Sequence, residues 1–324
     1  VTIRTFLRFA GRLQLMPVLE SGEEILVGGQ AVVEGVMMRA PHSYCVAVRK
    51  PDGQIVFEEK PIQRPSEKHR IWGVPVIRGL GTLGQAMSLG VRALKFSANA
   101  VLPESDKGGR TEQLTSWALT LNVIFSLAFF IFLYKFVPLY VVTWLGKSFP
   151  ALEGHFAFNI ADGVLRILIF LGFLFLISRW KEIRRVFEYH GAEHRVVFNF
   201  ESGQPVTVEN ARRFTTFHPR CGTSFLLVVM VFSMVIYAFI PFDGFAAKFA
   251  CRLALLPLIA GLSYEMIRFA AKRRGFLAVL AAPGLWLQRI TTQPPSDEQT
   301  SVAICALEHA MALEQAQGGQ MVIS

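Results

Sequence analysis

Cysteine is scarce in this chain and never clustered. Cys45, Cys221, Cys251 and Cys305 are scattered through 324 residues with no C-x-x-C pair among them. No disulfide framework is implied, and a reducing cytosol suits the cysteines outside apolar runs. Internal repeats and low-complexity tracts are missing too. The first turns lack the continuous apolar core of a signal peptide. Acidic residues are outnumbered, 24 against 33 Lys and Arg, for a net charge of +9 and a pI near 9.6. No specific nucleic-acid motif accompanies that charge, and the basic residues gather near the ends of apolar runs. The anionic cytoplasmic leaflet is the partner this pattern predicts.

What the chain has in abundance is apolar surface. Hydrophobic residues make up 52%, 28 of them phenylalanine, and the mean hydropathy is +0.40. This excludes an ordinary soluble enzyme and predicts a mainly α membrane protein. About four transmembrane helices are expected, with a small cytosolic β module and amphipathic surface helices. Uncharged 21-residue runs at Leu114 to Tyr134 and Gly222 to Phe242 each match a bilayer crossing. Two further spans are expected around Phe156 to Ile177, with Asp162 and Arg166 at i,i+4, and around Phe245 to Ile267, with Lys248, Arg252, Glu265 and a Pro257 kink. Those charges are placed toward span ends, where snorkelling or ion pairing accounts for them.

In chain order, residues 1–24 read as a basic amphipathic segment, with Arg4, Arg8 and Arg12 opposite Phe6, Leu7, Phe9 and Leu13. Residues 25–70 read as the β module, with Lys50-Pro-Asp-Gly53 as a hairpin turn. Inside it, Gly28 to Arg39 holds three glycines with Glu34 and Arg39. This is not a G-x-G-x-x-G fingerprint; it suits close backbone approach, or a tight turn with a Glu34 to Arg39 ion pair. Residues 71–110 form a glycine-softened surface helix and a polar linker, and 111–178 hold spans one and two. The loop 179–221 is rich in arginine, 222–270 hold spans three and four, and 271–324 carry an interfacial stretch and an Ala-rich helix near 297–315. Arginines and lysines concentrate in the central loop and after the fourth span, which predicts both termini on the cytoplasmic side.

The chemistry lies in the central loop. If the second span continues into the cytosol as one helix, His190 and His194 share a face at i,i+4 with Glu193 alongside, the H-x-x-E-H geometry of two ligands and a base. His218 and Cys221 complete a set that zinc would accept in tetrahedral geometry. Four such ligands describe a closed structural site. An open position with Glu193 as catalytic base describes an enzyme, with Glu201 and Glu209 as alternative oxygen ligands, and a hydrogen-bonded cluster without metal is the third reading. Glu34, Arg39 and Arg220 are candidates for the surrounding shell.

GGQAVVEGVMMR (28–39), YHGAEH (189–194), ENARRFTTFHPRCGTSF (209–225) and LQRITTQPP (287–295), in that order, resemble the DUF1385 family. The resemblance runs from about residue 25 to 312. It implies a bacterial multipass protein of the cytoplasmic membrane with the character of a metal-dependent enzyme. Three functions are carried forward: a zinc hydrolase at the membrane face; a non-enzymatic scaffold or biogenesis factor meeting a membrane partner such as the translocon, or the ribosome; and a transporter using the intramembrane charges.

Overall fold

The computed structural model describes residues 27–68, 70–101, 116–152, 154–218, 221–240, 242, 244–271 and 274–317. The N-terminal segment 1–24, the polar stretch 103–110 and Arg220 lie outside the described residues.

Strands β1 (Gly28–Val32), β2 (Gly35–Arg39), β3 (Ser43–Arg49) and β4 (Ile55–Pro61) form one antiparallel meander in the order β1-β2-β3-β4. The predicted turn at 50–53 closes β3 onto β4. The Gly53 amide donates to the Lys50 carbonyl at 2.9 Å, and Gly53 adopts φ 88°, which its missing Cβ permits. β2 and β3 are buried almost end to end, because both faces of the sheet are covered. Val36, Met38, Cys45 and Ala47 pack against α5 (Lys181–Glu201) and α10 (Asp297–Ala316) through Ala192, Val196, Ala303 and Leu307. Met37, Tyr44, Val46 and Val48 pack on Leu89 and Ala93 of α1 (Ile77–Val101). The β module is thus the middle layer of a three-layer unit whose helices come from distant parts of the chain. Helix α10 starts sharply after Pro294-Pro295 at a capping box, with Ser296 and Gln299 each bonding the other's backbone amide.

His42, on the short β2–β3 connection, ties this unit together. Its Nδ1 meets Glu314 of α10 at 2.9 Å and its Nε2 meets Glu67 at 3.0 Å. The Glu314 and Glu67 hydrogen bonds raise the His42 pKa above its ordinary value. A raised folded-state pKa means that the clamp contributes fully below the unfolded-state value and is lost as pH rises through the folded one. His42→Ala is therefore expected to lower the melting temperature more at pH 6 than at pH 9, by a modest amount because the ring is partly exposed. A pH-independent difference would show that the protonated ring contributes nothing.

The apolar helices stand apart from this unit. α2 (Ser116–Ile131) runs through a π turn at Phe132–Phe136 into α3 (Val137–Gly146). Pro138 lacks the amide that would bond the Tyr134 carbonyl, and the Val137 amide reaches back to Phe132, so the turn widens. The first predicted span therefore extends past Tyr134 and takes Lys135 with it. α4 (His155–Ile177) matches the second prediction. α6 (Gly222–Tyr237) has 16 residues, about 24 Å long, shorter than the 21-residue run predicted, because the helix ends at Tyr237. The fourth prediction is a broken pair, α7 (Phe245–Ala254) and α8 (Leu256–Ala271), bent by 47° where Pro257 disrupts the ladder. Against about four expected spans, two helices among the described residues are long and apolar enough to cross a membrane, or three if the bent pair, kinked at Pro257 as expected, counts as one.

α9 (Arg274–Thr291) returns beside α6, with Leu287 buried against Met230 and Phe170. The surface helix α1 docks on α8. Gly79 leaves room for the Tyr264 ring, Gly261 for Val76, and Arg78 pairs with Glu265. Glu265 thus serves the seam between the sheet unit and the apolar helices.

Candidate metal centre

Helix α5 does not continue α4. The chain turns at 178–180, and Trp180 is extended (ψ 134°) as the cap of a new helix. The condition of one helix continuing from the second span is therefore not met, and the break lets α5 lie against the sheet. His190 and His194 sit one turn apart on α5. Cys221 caps the start of α6.

One ligand atom each from His190, His194 and Cys221 lies within 4.8 Å of the others. The Cys221 Sγ is 3.3 Å from His190 Nε2, and the Glu193 Oε2 is 3.5 Å from His194 Nε2. Zinc bonds of about 2.0–2.1 Å to nitrogen and 2.3 Å to sulfur place tetrahedral neighbours roughly 3.4–3.6 Å apart, so these spacings match edges of such a site. The surroundings fix the histidine tautomers. His190 Nδ1 donates to the Thr291 carbonyl at 2.8 Å, and His194 Nδ1 donates to the Thr216 carbonyl. The Nε2 atoms are left to face the Cys221 sulfur and the Glu193 carboxylate. Backbone carbonyls that orient a histidine through its other nitrogen are a standard support for metal ligands. The donor set fits zinc: two imidazole nitrogens, a cysteine sulfur and an adjacent carboxylate. Burial holds the His194 pKa below its ordinary value, against the upward pull of its bond to Cys221, so the ring stays neutral and able to ligate.

His218 lies beside this trio with a different assignment. Its ring is 5.6 Å from that of His194 and 4.4 Å from that of Phe198, and its Nε2 is 3.3 Å from Glu201 Oε2. Burial pushes its pKa down to about 4 despite the nearby charge of Glu193, so at neutral pH the contact is a hydrogen bond from a neutral ring. The proton sits on Nε2, the reverse of the other two tautomers. Gln288 of α9 holds the backbone here, accepting from the His218 amide at 2.7 Å and donating to its carbonyl at 2.8 Å. Glu209, by contrast, is exposed and pairs with Arg213.

The glycine-rich strand reaches the centre. A Cβ on Gly29 would lie 2.5 Å from Glu193 Cγ and 2.9 Å from the Met37 carbonyl, so only glycine leaves the Glu193 carboxylate its place. Glu34, at φ 53° in the β1–β2 turn, pairs with Arg185 and accepts from the Tyr189 hydroxyl at 3.2 Å, one residue before His190. Arg39 turns the other way and donates to Gln85 of α1. The alternative of a Glu34 to Arg39 pair is replaced by two separate contacts, because Glu34 is in the β1–β2 turn and Arg39 at the far end of β2, opposite Gly28. A cavity of about 950 Å³ lies elsewhere, lined by residues that include Trp72, Gln85, Arg92 and His42 and none of the cluster residues.

Fold and site together define a class: long apolar helices joined to a three-layer unit that presents a buried His/Cys/Glu centre where helices enter and leave. The chain belongs to the DUF1385 family, described as proteins of unknown function, whose model matches residues 74–313. It is 33% identical over 297 residues to the uncharacterized protein YqhQ of Bacillus subtilis strain 168, covering 89% of this chain and 92% of that protein. No solved structure matches.

Proposed function

We propose that this chain is a multipass protein of the bacterial cytoplasmic membrane with a zinc-dependent hydrolytic centre at the cytoplasmic face. The observation that carries the metal reading is the pair of Nδ1 bonds to the Thr291 and Thr216 carbonyls, which leave one nitrogen of each ring to converge with the Cys221 sulfur. Membrane residence is supported by apolar side chains pointing outward, Phe125 at 71% and Phe239 at 81% exposed, which a bilayer would cover. Trp117 and Trp144, both exposed, bracket the first long helix about 40 Å apart, matching a bilayer with its headgroups. The sheet unit connects to the C-terminal end of α4 and the N-terminal end of α6, so it lies on one side of the bundle, consistent with cytoplasmic termini.

His190, His194 and Cys221 would hold zinc, which when bound supplies Lewis acidity and acidifies a coordinated water. Glu193, held beside His194 by Gly29, is placed to take that water's proton. His218 and Glu201 brace the wall behind His194. A second reading rests on the Glu193 to His194 spacing, which also suits Glu193 as a fourth ligand. The centre would then be closed and structural, and the protein a membrane scaffold whose partner is another membrane protein such as the translocon.

Metal analysis of the untagged full chain decides the first step. Near-stoichiometric zinc is expected, with at least a tenfold loss of affinity in His190→Ala and Cys221→Ala and retention in His218→Ala. Absence of zinc after supplementation would overturn the metal reading. Glu193→Gln separates the roles: retained zinc with lost hydrolysis supports the base, whereas lost zinc makes it a ligand and the site structural.

A further inference from the structure

Four charged side chains are buried between the apolar helices. Lys135 lies in the π turn, Asp162 and Arg166 on α4, and Arg252 on α7, none more than 9% exposed. Counted at 1.5 Å per residue from the helix ends that share the loops 147–154 and 238–244, they sit about 10–16 Å inside, well within a 30 Å hydrocarbon layer. Of the two explanations expected for the charges on α4, ion pairing is the one observed, since Arg166 and Asp162 are buried together and paired.

Their partners are known in detail. Asp162 pairs with Arg166 through one oxygen, and its other oxygen lies 2.9 Å from Arg252 Nη1. Arg166 Nη1 donates to Ser233 at 2.8 Å, Arg252 Nη2 donates to Asn159 at 2.8 Å, and Lys135 donates to the Tyr237 hydroxyl at 3.1 Å. The Tyr237 ring sits among all three cations, 4.9–5.2 Å from each. Three basic side chains thus gather around one carboxylate among the described residues. The Nε atoms of Arg166 and Arg252, both on side chains about 2% exposed, have no hydrogen-bond partner among the described residues. Buried charge of one sign is retained only when compensated. The surrounding backbone is irregular at the same level: Lys135 is inside a π turn, and α7 breaks three residues after Arg252. In membrane proteins, such interruptions beside buried charge mark ion sites.

We propose that this cluster binds a small monovalent inorganic anion of chloride or nitrate size, held by the two arginines and Lys135 at the junction of α3, α4, α6 and α7. The small size follows from the near-complete burial of every side chain concerned. The inference uses the membrane reading of these helices and is independent of the metal centre.

The test is thermal unfolding of the full chain in detergent, exchanging sodium gluconate for chloride, bromide or nitrate at constant ionic strength. A saturable rise is expected, roughly 5 °C at about a hundredfold excess over Kd, with gluconate inactive. Equal melting in all four salts would overturn the proposal. Ser233→Asp places a carboxylate beside Arg166 and is expected to melt in gluconate as the wild type does in chloride, without further response. A full chloride response in that variant would place the anion elsewhere and sink the idea. If Ser233→Asp fails to fold, Lys135→Met reads the same point: chloride half-saturation should rise at least tenfold, and an unchanged value counts against the site. Release of the chain from membranes by alkaline carbonate would refute the spanning reading separately, since the chloride titration is read on purified protein either way.

Discussion

Gly191→Ala is expected to destabilise the protein by about 2–3 kcal/mol, although alanine is the better helix former by roughly 1 kcal/mol. The cause is a backbone contact. A Cβ at Gly191 would stand 2.1 Å from the Gln293 carbonyl oxygen and 3.3 Å from Thr216 Cγ2. Neither can rotate away freely, because the Gln293 amide donates to the Phe187 carbonyl at 2.9 Å and the Thr216 carbonyl accepts from His194. Opening this seam would also pull Thr291 away from His190, so zinc content should fall together with the melting temperature. Gly84 on α1 is the control: a Cβ there meets nothing within 4 Å, and Gly84→Ala should be neutral or stabilising. Equal melting temperatures for the two variants would mean that α5 is not seated on the 291–293 strap.

The same glycine shows where sequence reading stops. The i,i+4 pairing of His190 and His194 is local geometry, and H-G-A-E-H displays it directly. Gly191 looks like a flaw in that helix until the strap 100 residues later comes into view. The 50–53 turn and the terminal helix, expected near 297–315, were legible for a similar reason, since Pro-Asp-Gly and a Pro294-Pro295 break before an Ala-rich run act within a few residues. The covering of both sheet faces was not, because α1, α5 and α10 converge from separate parts of the chain. Tautomers were equally hidden. His190, His194 and His218 are the same residue type, and only the carbonyls of Thr291 and Thr216 and the carboxylate of Glu201 distinguish two acceptors from one donor. Lys135 was missed because an uncharged run seemed complete at Tyr134. Pro138, three residues further on, was the available signal that the helix widens and carries the lysine inward.

Asp162→Asn should produce the largest loss of stability in the apolar helices, about 3–5 kcal/mol, the range for breaking a buried ion pair from one side. Asp162 is the shared anion of Arg166 and Arg252, so its removal strands both guanidinium groups beside Lys135. Removing one cation is a smaller insult. In Arg252→Gln the carboxylate keeps Arg166, and the excess positive charge falls. The order of melting temperatures in gluconate should therefore be wild type, then Arg252→Gln, then Asp162→Asn. Ser233→Ala, which removes only a neutral hydroxyl partner of Arg166, should cost about 1 kcal/mol. Chloride should recover part of the Asp162→Asn loss and little of the Ser233→Ala loss, because an anion replaces the missing charge and not the missing hydroxyl. If Asp162→Asn melted with Ser233→Ala, the carboxylate would be serving as an ordinary hydrogen-bond acceptor, and the cations would be balanced by something other than the charge at position 162.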